Sequence, residues 1–336
     1  MTNKKIKVSC LWTGEGHVAS TLVFNLIQKL SNKEIVFTNP RSADILFIGP
    51  YDLLSFQNKI INSLTRRLKI NKQIKKKIEY FRQSTILRKN QPIKIFLNHE
   101  NFRHDEVESD FTISFDLAVN NPNHIRIPIW KENIDWSNHG IKRKVKFIID
   151  GKKYCYLNIL RFGYFYNMND LLKPQGDSFL KKKNICMFTT YLPEPRKTIY
   201  EEFSKNFKVD GYGPYFDKDL KTHNESNFTK SEIMGKYAFN LCPHNNNYPG
   251  QYEEKVPEAF LSKCLPITWA DQNIDTDFNI KSFINLNDHI KDNFKEIIYL
   301  LKQKEFLKSF TDEPLILKKP NLEKEIEFAK KIIDYL

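Results

Sequence analysis

Twice along this chain, short runs of consecutive apolar residues alternate with stretches of helical periodicity, and few folds accept that pattern. The runs IKVSCLW (6–12), ADILFI (43–48), IKIFL (93–97) and FTISF (111–115) are too short for helices. They are also too continuously apolar for a sheet with one wet face, so they read as strands buried on both sides. After the first run, Ser20 to Leu30 has helical spacing, with Leu22, Phe24, Ile27 and Leu30 as its apolar positions. Residues 55–90 read as helix on a basic background. From about 131 to 182 the pattern lapses, and then it restarts. NICMF (184–188), YAFNLC (237–242) and LPITW (265–269) are strands, with helices over Pro195–Phe203 and Tyr252–Leu261 between them. Pro266 predicts an edge position or a bend. Helices over 294–301 and 322–336 close the chain. The alternation predicts an α/β protein with parallel sheets covered by helices. A length of 336 residues suits two such domains rather than one. The expected division is 1–160, 161–320 and a terminal helix at 321–336 that can pack back on the first domain. In open parallel sheets, ligands bind beyond the carboxyl ends of the strands. The residues that follow Leu97, Phe188, Cys242 and Trp269 are therefore the ones to inspect.

The formal charge is +13, and much of the excess sits in Lys59–Lys89, with a second run at Lys181-Lys182-Lys183. That balance speaks about partners, not fold. One reading of 59–89 is a solvated helix face. The sharper one is peripheral contact with an anionic membrane that carries lipid-linked acceptors. A nucleic-acid partner is not expected. The five cysteines are scattered and contain no CxxC pair, which argues against structural zinc and a disulfide framework. The apolar run at the start is too short for a signal peptide, and no window approaches the ~20 apolar residues of a membrane span. The expectation is a soluble protein of a reducing compartment, cytoplasmic or peripheral at the membrane. The Asn-x-Ser/Thr sites at Asn224 and Asn227 then carry no meaning.

No glycine-rich phosphate loop of the GxGxxG or GxxxxGK type is present, and Gly14 and Gly16 read as a tight turn, so hydride transfer and P-loop chemistry lose support. The segment richest in chemistry runs from Tyr237 to Asn285. A buried strand ends in His244, Asn245, Asn246 and Asn247, and a helix then opens on Glu253, Glu254 and Lys255. A helix N-terminus favours anions, so a lysine there is mildly misplaced unless an anion sits beside it. Lysine is a good point-charge partner for phosphate. Glu254 has the reach and the oxygens to accept both hydroxyls of a ribose. The bland alternative is a capped surface helix.

Four blocks in order, FNLCPHN (239–245), QYEEK (251–255), PITWA (266–270) and DFNIKSFIN (277–285), resemble the α-1,3/1,4-fucosyltransferases of glycosyltransferase family ten. The family patterns are FNLCFEN, YVTEK or YITEK, PIYWG and DFNPKSFIN. CMFTTYLPEPR (186–196) is similar to a family stretch that ends in a phosphate-binding arginine, which places Arg196 in that role. LNHENF (97–102) is similar to the family's TGENxxP loop and puts Glu100 in the place of its catalytic base. The resemblance covers about residues 90–290. It implies the GT-B fold, two Rossmann-like domains that face each other across a cleft, and inverting transfer of fucose from GDP-fucose. Glu100 would take the acceptor proton, and Arg196 and Lys255 would stabilise the departing diphosphate. Glu254 would hold the ribose, while Asn245, Gln251 and Tyr252 would line the donor site. His99 and His244 would touch the acceptor or support these groups. The acceptor would be a GlcNAc- or glucose-containing oligosaccharide. No cofactor is implied beyond the GDP-sugar itself, because a protein cation pair can replace a metal. The chain departs from the pattern at Pro243, His244 and Gln251, where the family has Phe, Glu and Tyr. Transfer from another nucleotide sugar is therefore the alternative, and a basic binding protein on a decayed transferase fold is the second one.

Three further signals are discounted. Asp275-Thr276-Asp277 is a DxD, but it opens the DFN block and reads as a turn or cap. His99, Glu100 and His104 lack the i, i+4 helical spacing of a zinc protease. Tyr212, Tyr215 and Phe216 could stack on a guanine or sugar ring, or simply pack.

Overall fold

The computed structural model describes residues 5–50, 91–216 and 228–336. The basic stretch 59–89, the helix expected over 55–90, and the asparagines of both Asn-x-Ser/Thr sites lie outside the described residues. The chain divides into two compact units. The first comprises Met1–Pro128, Trp136–Tyr156 and Asn321–Leu336, and the second Ile129–Asp135 and Leu157–Pro320.

Unit 1 holds a six-stranded parallel sheet in the order β2-β1-β3-β4-β5-β6. Its strands are β1 (Ile6–Leu11), β2 (Ile35–Phe37), β3 (Ile45–Ile48), β4 (Ile93–Leu97), β5 (Phe111–Ser114) and β6 (His124–Arg126). All four residues of β3 are buried, as a central strand covered on both faces requires. Two helices, α1 (Glu15–Ser20) and α2 (Leu22–Ser31), follow β1. Thr21 separates them and caps α2 by accepting from the Phe24 amide at 3.3 Å. An antiparallel hairpin, β7 (Lys146–Ile149) and β8 (Lys152–Cys155), turns at Asp150-Gly151. Both turn residues have positive φ, 50° and 73°, the backbone that a two-residue hairpin turn demands.

Unit 2 holds a five-stranded parallel sheet in the order β10-β9-β11-β12-β13. The strands are β9 (Ile185–Phe188), β10 (Val209–Tyr212), β11 (Phe239–Leu241), β12 (Leu265–Thr268) and β13 (Ile284–Asn285). The helices that position the site are α3 (Arg196–Ser204), α4 (Lys230–Met234) and α5 (Lys255–Leu261). Ile185, Met187, Leu241, Leu265 and Ile267 of the sheet pack with Ile199 and Phe203 of α3 into one apolar core. The last helix of the chain, α6 (Glu323–Asp334), belongs to unit 1, where it packs on α2. Phe328 meets Phe111 edge-on there at 5.6 Å, and Lys331 Nζ donates to the Pro122 carbonyl at 3.1 Å.

Both sheets start with the order second-first-third-fourth, the doubly wound order in which the chain reverses direction between the first and third strands. In unit 2 that reversal lies between β9 and β11. Two local expectations change, the start of one helix and the place of Pro266, while the DxD keeps the turn role expected of it. The helix expected from Tyr252 begins only at Lys255, because Tyr252 is buried and tied to Asp271. β12 is not an edge strand. Pro266 is tolerated because the ladder bonds to β11 use Leu265 N and Ile267 O. Its own nitrogen points the other way, where β13 pairs only with Ile267 and Thr268. The DxD is built into a turn, and Asp277 Oδ2 accepts from Trp130 Nε1 at 2.8 Å.

Candidate functional site

The reversal between β9 and β11 is where a doubly wound sheet leaves a crevice, and two cationic residues of unit 2, Arg196 and Lys255, meet beside it. Arg196 opens α3, just after β9, and is 3% exposed. Its guanidinium donates to Asn245 Oδ1 at 2.9 Å and to Thr189 Oγ1 at 2.6 Å, and lies over the Tyr191 ring at 5.7 Å. Asn245 follows β11. Lys255, at the first turn of α5, also donates to Asn245 Oδ1, at 3.5 Å. One carbonyl oxygen thus gathers the two cations that the sequence assigned to phosphate. Lys255 Nζ has a further partner in Glu253 Oε2 at 2.5 Å.

In Arg196 and in the loops that follow β11 and β12, Arg196 Nε, His244 Nε2, Gln251 Oε1, Trp269 Nε1 and Asp271 Oδ2 are buried without a hydrogen-bond partner. Buried polar atoms are rarely left so, and each is a place where a ligand or water can complete the bonds. His244 is 1% exposed, and burial holds its pKa below the ordinary value. Its Nδ1 therefore carries the proton donated to the Gln251 carbonyl at 2.8 Å, which leaves Nε2 an acceptor. Tyr252 gives its hydroxyl to Asp271 Oδ1 at 3.2 Å inside the fold. Glu254 is the residue before α5 and makes no side-chain cap bond. Of the aromatic trio, Tyr212 stacks on Phe188 and bonds to Tyr237, and Phe216 fills the space that a side chain at Gly211 would need. Only Tyr215 is exposed.

Beside Glu254 sits a buried ion pair that sequence reasoning missed, Lys230 with Glu258. A capping box, in which Thr229 and Glu232 bond each other's backbone, starts α4 at Lys230, but it signals the helix start and not the pair. Lys230 also lies 5.4 Å over the Phe188 ring. Burial pushes Glu258 up to about 7 even with the lysine beside it. Lys230→Met strands that carboxylate, and the expected loss is about 3–5 kcal/mol near pH 8. With the lysine present Glu258 already holds a proton up to about pH 7 in the folded state, and removal of the lysine extends that range upward. The loss therefore shrinks as pH falls from about 8 to about 7 and changes little from there toward 5. Urea midpoints at these pH values check this, and a loss just as large in acid contradicts it.

Unit 1 carries Glu100 in the loop after β4. Asn98 is fully buried and fixes that loop, since its Oδ1 accepts from the Glu100 amide at 3.0 Å and its Nδ2 donates to the Phe102 carbonyl at 2.7 Å. His99 lies edge-on to His17 at 5.3 Å, and burial first, then the His17 charge, lowers it to about 3, so it is neutral at working pH. The sequence did not single out Asp116. It is 4% exposed and accepts from the His104 amide at 2.6 Å, and its other oxygen accepts from Arg103 at 2.9 Å. Its Oδ2 also lies 2.9 Å from His104 Nδ1. Among the described residues no group of three or more His, Cys, Asp or Glu could hold a metal ion. No helix among them is long and apolar enough to cross a membrane.

Two family models match the chain. Residues 45–132 match the α-(1,3)-fucosyltransferase FucT N-terminal domain, and residues 179–312 the glycosyltransferase family 10 (fucosyltransferase) C-terminal region. A Helicobacter pylori α-(1,3)-fucosyltransferase FucT is 25% identical over 220 residues, which is 62% of this chain and 43% of that protein. A putative fucosyltransferase of Acanthamoeba polyphaga mimivirus is 26% identical over 162 residues, 45% of this chain and 26% of the relative. The chain thus spans less than half the length of either relative. A crystal structure of an α1,3-fucosyltransferase superposes with a TM-score of 0.62 at 21% identity, covering 99% of this chain and 91% of that one. A complex of α1,3-fucosyltransferase with GDP-fucose superposes with a TM-score of 0.60 at 20% identity, over 99% and 93%. At such identities the likeness shows the fold, which is GT-B.

Proposed function

Since the chain belongs to the fucosyltransferases of glycosyltransferase family 10, we propose that it transfers L-fucose from GDP-fucose to a hydroxyl of an oligosaccharide, with inversion. The observation that carries this reading is the convergence of Arg196 and Lys255 on Asn245 Oδ1 at the crevice of the second sheet. Two fixed cations there suit the charge that builds on a diphosphate as its bond to a sugar breaks. Glu254 holds the ribose. Asn245, Gln251 and His244 bound the donor, and Tyr252 fixes the loop that carries them. Glu100 takes the proton of the attacking hydroxyl as the acceptor oxygen bonds to the anomeric carbon and GDP leaves. His99, held neutral, supports that base without competing for the proton. The acceptor contains GlcNAc or glucose.

His244 stands where the family has a glutamate and is buried as a neutral acceptor, which favours a second reading in which the donor is another GDP-sugar. Thermal unfolding with GDP-fucose, GDP, GDP-mannose, UDP-sugars and dTDP-sugars separates the readings. Ligand at about 100 times its Kd stabilises by ~2.7 kcal/mol, a rise of several degrees for a unit of this size. GDP and GDP-fucose are expected to give that rise. Stabilisation by a different sugar nucleotide alone moves the assignment to it. No response to any nucleotide, together with steeply salt-dependent binding to DNA or anionic vesicles, would favour the binding-protein reading, whose supporting segment is 59–89.

A further inference from the structure

The cationic pocket of unit 2 contains an anion of its own. Glu253 is 6% exposed, and its Oε2 lies 2.5 Å from Lys255 Nζ, the same ammonium that reaches Asn245. Burial alone would raise its pKa, but the Lys255 charge and hydrogen bond, with the Arg196 charge, hold the carboxyl below its usual range. It is therefore ionised in the resting protein. In the family pattern YVTEK, this position is threonine, which can neutralise nothing.

We propose that Glu253 is a tethered counter-ion that occupies the charge of Lys255 and Arg196 until a diphosphate displaces it. This inference rests on the donor reading above. The arithmetic gives it content. Arg196, Lys255 and Glu253 together carry one net positive charge instead of two. An entering diphosphate must compete with a carboxylate already bonded to the lysine, and after the reaction that carboxylate returns as the nucleotide leaves. GDP bears about one more negative charge than the diphosphate diester of a GDP-sugar, because cleavage frees a phosphate oxygen. A carboxylate in the pocket therefore weighs more heavily against product than against donor. The chain gives up some affinity and gains release of GDP, a step that often limits turnover.

The competing account of Glu253 is structural: it holds Lys255 in the position that diphosphate needs. The two accounts predict opposite signs. Glu253→Gln keeps the shape and removes the charge. If Glu253 is a counter-ion, GDP binds about tenfold more tightly to the variant by calorimetry, and the gain exceeds that for GDP-fucose. Guanosine, which has no phosphate, displaces GDP with an unchanged affinity of its own. If Glu253 positions Lys255, GDP binding weakens. A gain below about threefold, a loss, or a guanosine affinity that moves in parallel overturns the proposal. Glu253→Thr, the residue of the family pattern, is the second variant, and thermal melts show that each still folds. Wild-type protein that binds no GDP fails the donor reading and this inference together. Wild-type protein that binds GDP, with variants that gain nothing, fails this inference alone.

Discussion

Glu100→Gln lowers turnover by about 10²–10⁴-fold and leaves the affinity for GDP within about twofold of the wild type. The amide has the size and reach of the carboxylate but cannot accept a proton. The backbone that presents it is fixed from elsewhere. Asn98 holds the Glu100 amide and the Phe102 carbonyl, and the Phe102 amide donates to the Glu100 carbonyl at 2.6 Å. The substitution therefore changes chemistry and not loop shape. GDP contacts are assigned to residues of unit 2, so nucleotide binding is an internal control for folding. The measurement pairs calorimetry of GDP with GDP release from GDP-fucose in the presence of GlcNAc- or glucose-containing disaccharides. Turnover within twofold of the wild type would remove Glu100 from the role of base. Asp116, with His104 beside it, would then be the next group to test on the same unit.

The strands that sequence patterning found are those it can see. β3, β5 and β12 are buried throughout, and β1, β4, β9 and β11 lie in apolar runs buried over at least part of their length, so their hydrophobicity is local information. The strands it missed, β2, β6, β10 and β13, have two to four residues each. β10 reads VDGY, with every residue only partly buried, and its place is fixed by pairing with β9 rather than by composition. The hairpin turn at Asp150-Gly151 is a local signal, but it stands in a stretch with no other order. The site shows the same division. Arg196, Asn245 and Lys255 were found through family blocks, and the fold gathers them because each follows a strand next to the β9–β11 reversal. The pairings of Glu253 with Lys255 and of Lys230 with Glu258 were not legible. The first lies in a charged run that reads equally well as a solvated cap. The second joins residues 28 positions apart, beyond any local pattern.

Arg196→Ala and Lys255→Ala are each expected to cost about 10²–10³-fold in kcat/KM for GDP-fucose, the scale for removal of one preorganised partner of a developing negative charge. The loss should appear in kcat as well as in binding, because charge on the diphosphate grows as the bond to the sugar breaks. The two positions are not independent. Both cations donate to Asn245 Oδ1, and Glu253 lies in the field of both. Removal of Lys255 leaves Glu253 with one cation fewer, and a carboxylate then faces the site that must take the diphosphate. Lys255→Ala should therefore weaken GDP by more than its own lost contact, and addition of Glu253→Gln should restore part of that loss. Arg196→Lys should not rescue Arg196→Ala. The arginine uses two nitrogens on two separate partners, Asn245 and Thr189, while the Tyr191 ring supports its flat face. A lysine is a single point charge and cannot reproduce that fork. Steady-state kinetics in GDP-fucose, with GDP calorimetry on the same variants, tests each step. If Arg196→Lys regains wild-type kcat/KM, a point charge suffices there and the fork is not needed; if both alanine variants keep it, the two cations do not carry the leaving group.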